Sequence, residues 1–504
     1  MLDCGYTLFG NVLSGFLLRK NKRIGEMRKQ QAFNPYLPSY EYVPDGEPHV
    51  FGDRVYVYGS HDLFNGKTFC MGDYICWSAP VGDFSDWRYE GVIYKKVQDP
   101  DNAQGKKSMY APDVCRGTDG KYYLYYFVDY HNKIGVAVCD TPAGKYEFLD
   151  FVRYEDGTPL GRNKGDVFQF DPGVYVEGGK VYLYSGFCPG FYPLVWGKHQ
   201  SKHGPVCVVL KPDMVTIAEK PKYIGVKCAA DAAGTPYEGH GFFEASSMRK
   251  IRDKYYFVYS SKLGHELCYA TCDTPDGTFD FGGTIVSIGD VGLRGIKGVK
   301  DADNYCGNTH GSILDLGDRH YIFYHRQTNC HCFSRQACAE PITIKADGSI
   351  EQVEVTSCGL NGKPLDCKGE YEARIACVLK SPRGGMFYMP FKCKGRPYFT
   401  QSGVDREDNP DQYIADITDG SVIGFKYFDF KGAKTVSVKI KGGADGKLIV
   451  SGTDGGAAAG EIALSPCGEY TEFTAPLTIS DGKSALFFTY KGSGKFDFMS
   501  FKLN

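Results

Sequence analysis

The sequence predicts an all-β protein: a five-bladed β-propeller followed by a β-sandwich of jelly-roll type. Three observations lead there. One hairpin pattern recurs five times in the first two-thirds of the 504 residues. Each copy is followed by further short strand signals set apart by turn residues, giving about four strands per unit. Near Ile350 the character of the chain changes, and Gly-rich alternating segments begin. No sustained helical periodicity appears in either part.

The five copies are Glu47–Tyr58, Ala111–Tyr126, Asp171–Tyr184, Glu244–Tyr259 and His310–Tyr324. Each reads as a strand, a tight Gly/Asp turn and a Tyr-rich strand. Asp53, Asp119, Asp253 and Asp318 sit in those turns, where a short carboxylate bonds to the local backbone. Between the copies lie strand signals such as Ile75–Pro80, Ile134–Pro142, Val206–Leu210, Leu267–Pro275 and Phe333–Cys338. Units of this size with four strands each read as propeller blades over 32–350. Residues 351–375 read as a connector. Segment 376–504 alternates with period two, as in Thr435–Ile440, Lys447–Ser451, Ser484–Tyr490 and Phe496–Phe501, and reads as a β-sandwich.

The first 31 residues read as an N-terminal extension. Phe9–Leu18 is apolar, but basic residues follow it instead of preceding it, and no small-residue cleavage site appears. The stretch is too short to span a bilayer. The globular pattern starts after Met27.

A net charge of -2 gives no basic excess for nucleic acid or an anionic membrane. Thirty-seven tyrosines and 33 phenylalanines suit strands, and tyrosine suits sugar-like ligands, having a flat apolar face and a hydroxyl. The 19 cysteines are scattered through strand patterns, which favours buried free thiols in a reducing, cytoplasmic setting. Cys330-His331-Cys332 lacks the second paired set that a zinc site of that kind uses.

In a propeller the innermost strand of each blade starts near the central axis, so the head residues of the repeats converge. They include Asp113, Asp171, Glu244 and His310, with Asp45 just ahead of the first copy. Carboxylates brought together repel one another and lose solvation, so one of them holds a proton near neutrality. An ionised carboxylate beside a protonated one can hydrolyse a glycosidic bond: a base for water and an acid for the leaving oxygen.

These residues resemble glycoside hydrolase family 43. The resemblance runs through Asn34-Pro-Tyr-Leu-Pro, Pro44-Asp45, Tyr110-Ala-Pro-Asp113-Val, Phe170-Asp171-Pro-Gly-Val-Tyr, Phe243-Glu244-Ala, His310-Gly-Ser-Ile and Tyr324-His-Arg, covering all five blades in order. It implies a five-bladed propeller and an inverting enzyme acting on arabinose- or xylose-containing polysaccharides. By resemblance, Asp45 is the general base and Glu244 the general acid, and Asp171 is the third carboxylate, which orients the acid and raises its pKa. Glu47 is a rival base, because it precedes Pro48 as the family's base precedes its proline. Ala245 stands where the family often has glycine. An inverting pair is expected roughly 6.5–9.5 Å apart.

The resemblance further implies that Arg335 reaches the sugar of the first subsite, that Tyr110 stacks on a sugar where many members have Trp, and that His310 helps hold a calcium ion through water at the axis. No cofactor is otherwise required. Asp62 is expected at the pocket rim and His240 in contact with substrate. The rim loops are 61–72, 187–204 and 289–309. The C-terminal part resembles a family 6 carbohydrate-binding module over Ile423–Lys434 and Phe496–Phe501. It has no Trp for stacking, and Tyr470 and Phe473 sit near that place.

The resulting expectation is an exo-acting hydrolase that releases terminal α-L-arabinofuranose or β-D-xylose from oligosaccharides. The alternatives are a β-D-galactofuranosidase and a non-catalytic sugar-binding propeller. Aryl glycosides separate all three.

Overall fold

The computed structural model describes residues 31–129, 131–189, 200–388, 393, 395–405 and 411–504. The N-terminal extension, apart from residue 31, and part of the rim loop 187–204 lie outside the described residues. The described residues are all-β, their helical content being short turns such as Lys96–Gln98.

Five antiparallel sheets follow one another along 47–342. Four have four strands in sequence order and the fifth, within 313–342, has three. Their first strands are Glu47–Phe51, Met109–Arg116, Gly173–Glu177, Phe242–Ile251 and Ile313–Asp315. Each repeat supplies the first two strands of a sheet, and the tight turn between them gives the register Phe51↔Arg54 in the first and Ile251↔Lys254 in the fourth.

Neighbouring sheets share cores. Tyr58 and Cys76 of the first pack with Leu124 and Tyr126 of the second. Tyr125 and Val136 pack with Val174 and Leu183 of the third, and Val57 and Trp77 of the first pack with Phe323 and Ala337 of the fifth. The first strands also meet directly. Asp113 accepts hydrogen bonds from His49 Nε2 (2.7 Å) and the Val174 amide (2.8 Å). Ser247 bonds to Ser312 (2.7 Å), and Gly46 bridges Gly311. Gly173 is required by closeness: a Cβ there would lie 2.3 Å from the Ser246 carbonyl. The start of the described chain runs beside the fifth sheet, where the Tyr36 amide bonds to the Ala337 carbonyl (3.2 Å) and the Asn34 side chain bonds to both backbone groups of Ala339.

After 350 the strands form two six-stranded sheets. Leu365–Asp366 and Gly369–Glu372, within the predicted connector, already pair with strands of these sheets. The inner faces meet in one phenylalanine-rich core, with the Phe425 and Phe501 rings 4.5 Å apart. The C-terminal sheets are fastened to the fourth and fifth through Val378 and Phe487, which join their core, and through a buried Lys426–Asp290 ion pair (2.7 Å).

Sixteen described cysteines are free thiols, 12 of them buried. Cys330, which the sequence gives no reason to pair, is disulfide-bonded to Cys393.

Candidate active site

A cavity of 560 Å³ opens where the first strands begin. Asp45, Asp171, Glu244, His310 and Arg335 face it, set among the rings of Phe69, Tyr110, Phe127, Phe168, Phe170, Phe187 and Phe243, with Asp129 and Asn308 completing the lining. The heads of the repeats have unusual backbone. Asp45 and Asp171 adopt left-handed φ of 59° and 44°, and Ala245, next to Glu244, has φ 71°. Aspartate tolerates this region, whereas alanine pays about 1–2 kcal/mol for it. Glu244 and Ala245 lie where the pairing of the fourth sheet's first two strands shifts register. Such a bulge re-aims a side chain out of the ladder.

The charges form a connected set. Arg335 donates from Nη1 to Asp45 Oδ1 (2.9 Å), and from Nε and Nη2 to the two Asp62 oxygens (2.8 and 3.0 Å). Its guanidinium lies 4.9 Å from the centre of the Phe69 ring. The Asp45 amide donates to His325 Nδ1 (3.3 Å), whose Nε2 donates to the Asn308 carbonyl (2.8 Å). His310 stands between two carboxylates, with Nδ1 3.6 Å from Asp171 and Nε2 3.7 Å from Glu47.

These surroundings separate the carboxyls. Burial raises Asp45, but Arg335 and the protonated His310 outweigh it, and the net shift is downward. Glu244 is pushed well above the usual carboxylate range by burial and by the charges of Asp171 and Asp45, which His310 and Arg335 only partly offset. Asp171 is raised by burial despite His310. Burial lowers His310, but Asp171 and Glu47 more than restore it, so its imidazole is protonated well above the ordinary range. The cavity therefore holds one carboxyl kept ionised and another kept protonated.

The profile of glycosyl hydrolases family 43 matches residues 49–350. The chain belongs to this family. A protein of Thermoclostridium stercorarium named xylosidase/arabinosidase is 50% identical over 485 residues, covering 95% of this chain and 99% of its own. One of the same name from Bacteroides ovatus is 30% identical over 317 residues, covering 58% and 87%. A solved family 43 arabinoxylan arabinofuranohydrolase from Bacillus subtilis, in complex with cellotetraose, is 20% identical, covers 94% of this chain and 97% of its own, and has a TM-score of 0.48.

Of the predicted site residues in this family 43 chain, Asp45, Tyr110, Asp171, Glu244, His310 and Arg335 face the cavity. Asp62 is fully buried behind Arg335 and fixes its guanidinium. Asp113 is not among the lining residues and ties the second sheet to its neighbours. His240 is also off the lining, bonded to Glu266 (2.7 Å). The rival base Glu47 points to Arg249 Nη2 (2.7 Å) and Ser247 (3.0 Å) and does not face the cavity. Apart from Tyr110, the aromatic wall is not evident from the motifs. Phe170 and Phe243 directly precede two of the head residues, and that adjacency was the available signal. His325, within Tyr324-His-Arg, gave no sign of touching Asp45.

The residues around His310 offer a calcium ion no set of direct oxygen ligands. Calcium takes six to eight oxygen ligands, whereas here both imidazole nitrogens face carboxylates and Arg249 takes one Glu47 oxygen. Glu47 Oε1 is buried without a hydrogen-bond partner, a single donor where several are needed.

Proposed function

We propose that this glycoside hydrolase is an inverting, exo-acting enzyme that releases terminal α-L-arabinofuranose or β-D-xylose from short oligosaccharides. The observation that carries the reading is the opposite displacement of Asp45 and Glu244 within one aromatic cavity. The xylosidase/arabinosidase name of the 50% identical relative supports the sugar class. A cavity of 560 Å³ suits a small ligand, which favours exo action.

In this mechanism Asp45, ionised and steered by Arg335 and His325, takes a proton from the attacking water. Glu244 gives its proton to the leaving oxygen. Asp171 keeps Glu244 protonated until that moment, and the aromatic rings cover the apolar face of the sugar. One displacement inverts the anomeric carbon. Asp45 then returns its proton to solvent and Glu244 regains one.

The five sheets of 32–350 are read as the blades of a propeller, supported by the contacts that link each first strand to the next and by the fifth-to-first link through Gly46 and Gly311. The last two sheets are read as a β-sandwich resembling a carbohydrate-binding module over 376–504. The sixteen free thiols of the described residues favour a cytoplasmic setting, whereas the Cys330–Cys393 disulfide favours an oxidising one.

The test uses nitrophenyl α-L-arabinofuranoside, β-D-xyloside and β-D-galactofuranoside. Wild type should cleave the first two, and proton NMR of the xyloside reaction should show α-xylose as the first product. Asp45→Asn and Glu244→Gln should each lose about 10²–10⁴-fold in kcat. Undiminished cleavage by either variant removes its role, and β-xylose as first product removes inversion.

A further inference from the structure

The fourth sheet carries a second set of ligating side chains, away from the cavity lining. His240 Nδ1 lies 2.7 Å from Glu266 Oε1, and Cys268 Sγ lies 3.5 Å from that oxygen and 3.9 Å from the imidazole nitrogen. Glu266 and Cys268 are buried on the strand Glu266–Cys272 and, two residues apart, point to the same face. His240 comes from the loop just before the strand that holds Glu244, and its side chain is 35% exposed.

We propose that His240, Glu266 and Cys268 form a binding site for a borderline-soft divalent cation of the zinc type, with water as fourth ligand. Nitrogen, oxygen and sulfur donors together suit zinc and discriminate against calcium and magnesium, which take oxygen. Bonds of about 2.0–2.3 Å in a tetrahedron set donor–donor edges of roughly 3.3–3.8 Å. The two edges to sulfur are already close to that, and the His240–Glu266 edge widens once the shared proton leaves.

The supporting groups such a site needs are in place. Thr284 donates to Glu266 Oε2 (3.0 Å) and Ser261 to Oε1 (2.6 Å). Phe281 stacks on the imidazole with centroids 5.4 Å apart, and Tyr259 donates to the His240 carbonyl (2.9 Å). The partly exposed His240 side chain links the site to solvent, the source of the fourth ligand.

The other cluster of similar composition, Glu47, His49 and Asp113, differs in one respect. Arg249 Nη2 lies 2.7 Å from Glu47 and 3.5 Å from His49, so a cation already occupies it. Among the described residues, no Lys or Arg forms an ion pair with Glu266. A metal ion bound there would clamp the loop leading into Glu244 to the third strand of the sheet.

The test titrates metal-free protein with Co2+ and then Zn2+. The expected result is one Co2+ per chain, with a thiolate-to-cobalt charge-transfer band and the visible bands of tetrahedral cobalt, all displaced by Zn2+. Zn2+ should raise Tm by about 2 °C or more, and Ca2+ should not. Cys268→Ser should abolish the charge-transfer band, and His240→Gln should weaken binding at least about tenfold. No band in wild type, or binding unchanged in both variants, overturns the site. If Cys268→Ser fails to fold, His240→Gln decides alone, because its side chain reaches the surface and its metal-free circular dichroism can be matched to wild type.

Discussion

The cavity end of the first five sheets and the core of the last two are built from opposite materials. Around the cavity, Asp45, Asp62, Asp171, Glu244, His310, His325 and Arg335 are all buried and charged or polar. In the C-terminal core, Phe425, Phe428, Phe488, Phe498 and Phe501 pack ring against ring. Left-handed non-glycine backbone is concentrated in the part that holds the cavity, at Asp45, Asp171 and Ala245 among others. Twelve non-glycine residues with positive φ precede residue 350, and among the described residues Asp416 alone follows it. One region accepts buried charge and strained backbone to hold carboxyls in unequal states. The other gains its stability from apolar burial.

Arg335→Met tests that contrast hardest. It leaves Asp45 and Asp62 buried without their cation, which should cost about 3–5 kcal/mol in denaturant unfolding and remove activity as well. Phe501→Ala should cost a similar 3–5 kcal/mol through the cavity it leaves, while kcat per folded molecule stays near wild type. If Phe501→Ala impaired kcat as severely as Arg335→Met, the two regions would not be separable in this way.

Asp171→Asn is the gentler probe. Removing that charge lowers the pKa of Glu244, so the alkaline limb of kcat/KM should move to lower pH, with a several-fold loss at the optimum. An unmoved limb would assign the proton on Glu244 to burial alone. The smallest effect is on the stability of Glu244→Gln, apart from its loss of activity. A carboxyl whose folded pKa is raised contributes fully below its unfolded pKa and loses that contribution as pH rises through the folded value. The Gln variant should therefore match wild type in Tm near pH 4 and exceed it by a few degrees at pH 8.

Much of this was legible along the chain because repetition is local. The five heads, the Gly/Asp turns and the Tyr-rich second strands recur within windows of about 16 residues, and the change near Ile350 is one of composition. Asp171, Glu244 and His310 stood out because they share a register position. Asp45 is preferred to Glu47 on spacing alone, since both lie at the first head and the sequence does not say which way each side chain turns. Arg249, 202 residues away, settles where Glu47 points, and Arg335, 290 residues away, reaches Asp45. Asp113 and His240 looked like site residues by position, but they bond to His49 and Glu266.

By itself, then, the sequence determined the class of fold and the kinds of side chain brought to the heads of the strands, because strand period, turn chemistry and repeat spacing act over a few residues. Which carboxyl stays ionised and which keeps its proton was decided by the tertiary structure. That choice depends on burial and on charges within a few ångströms, contributed by Arg335 on the last strand of the fifth sheet, His310 just ahead of that sheet's first strand, and Asp171 just ahead of the third sheet.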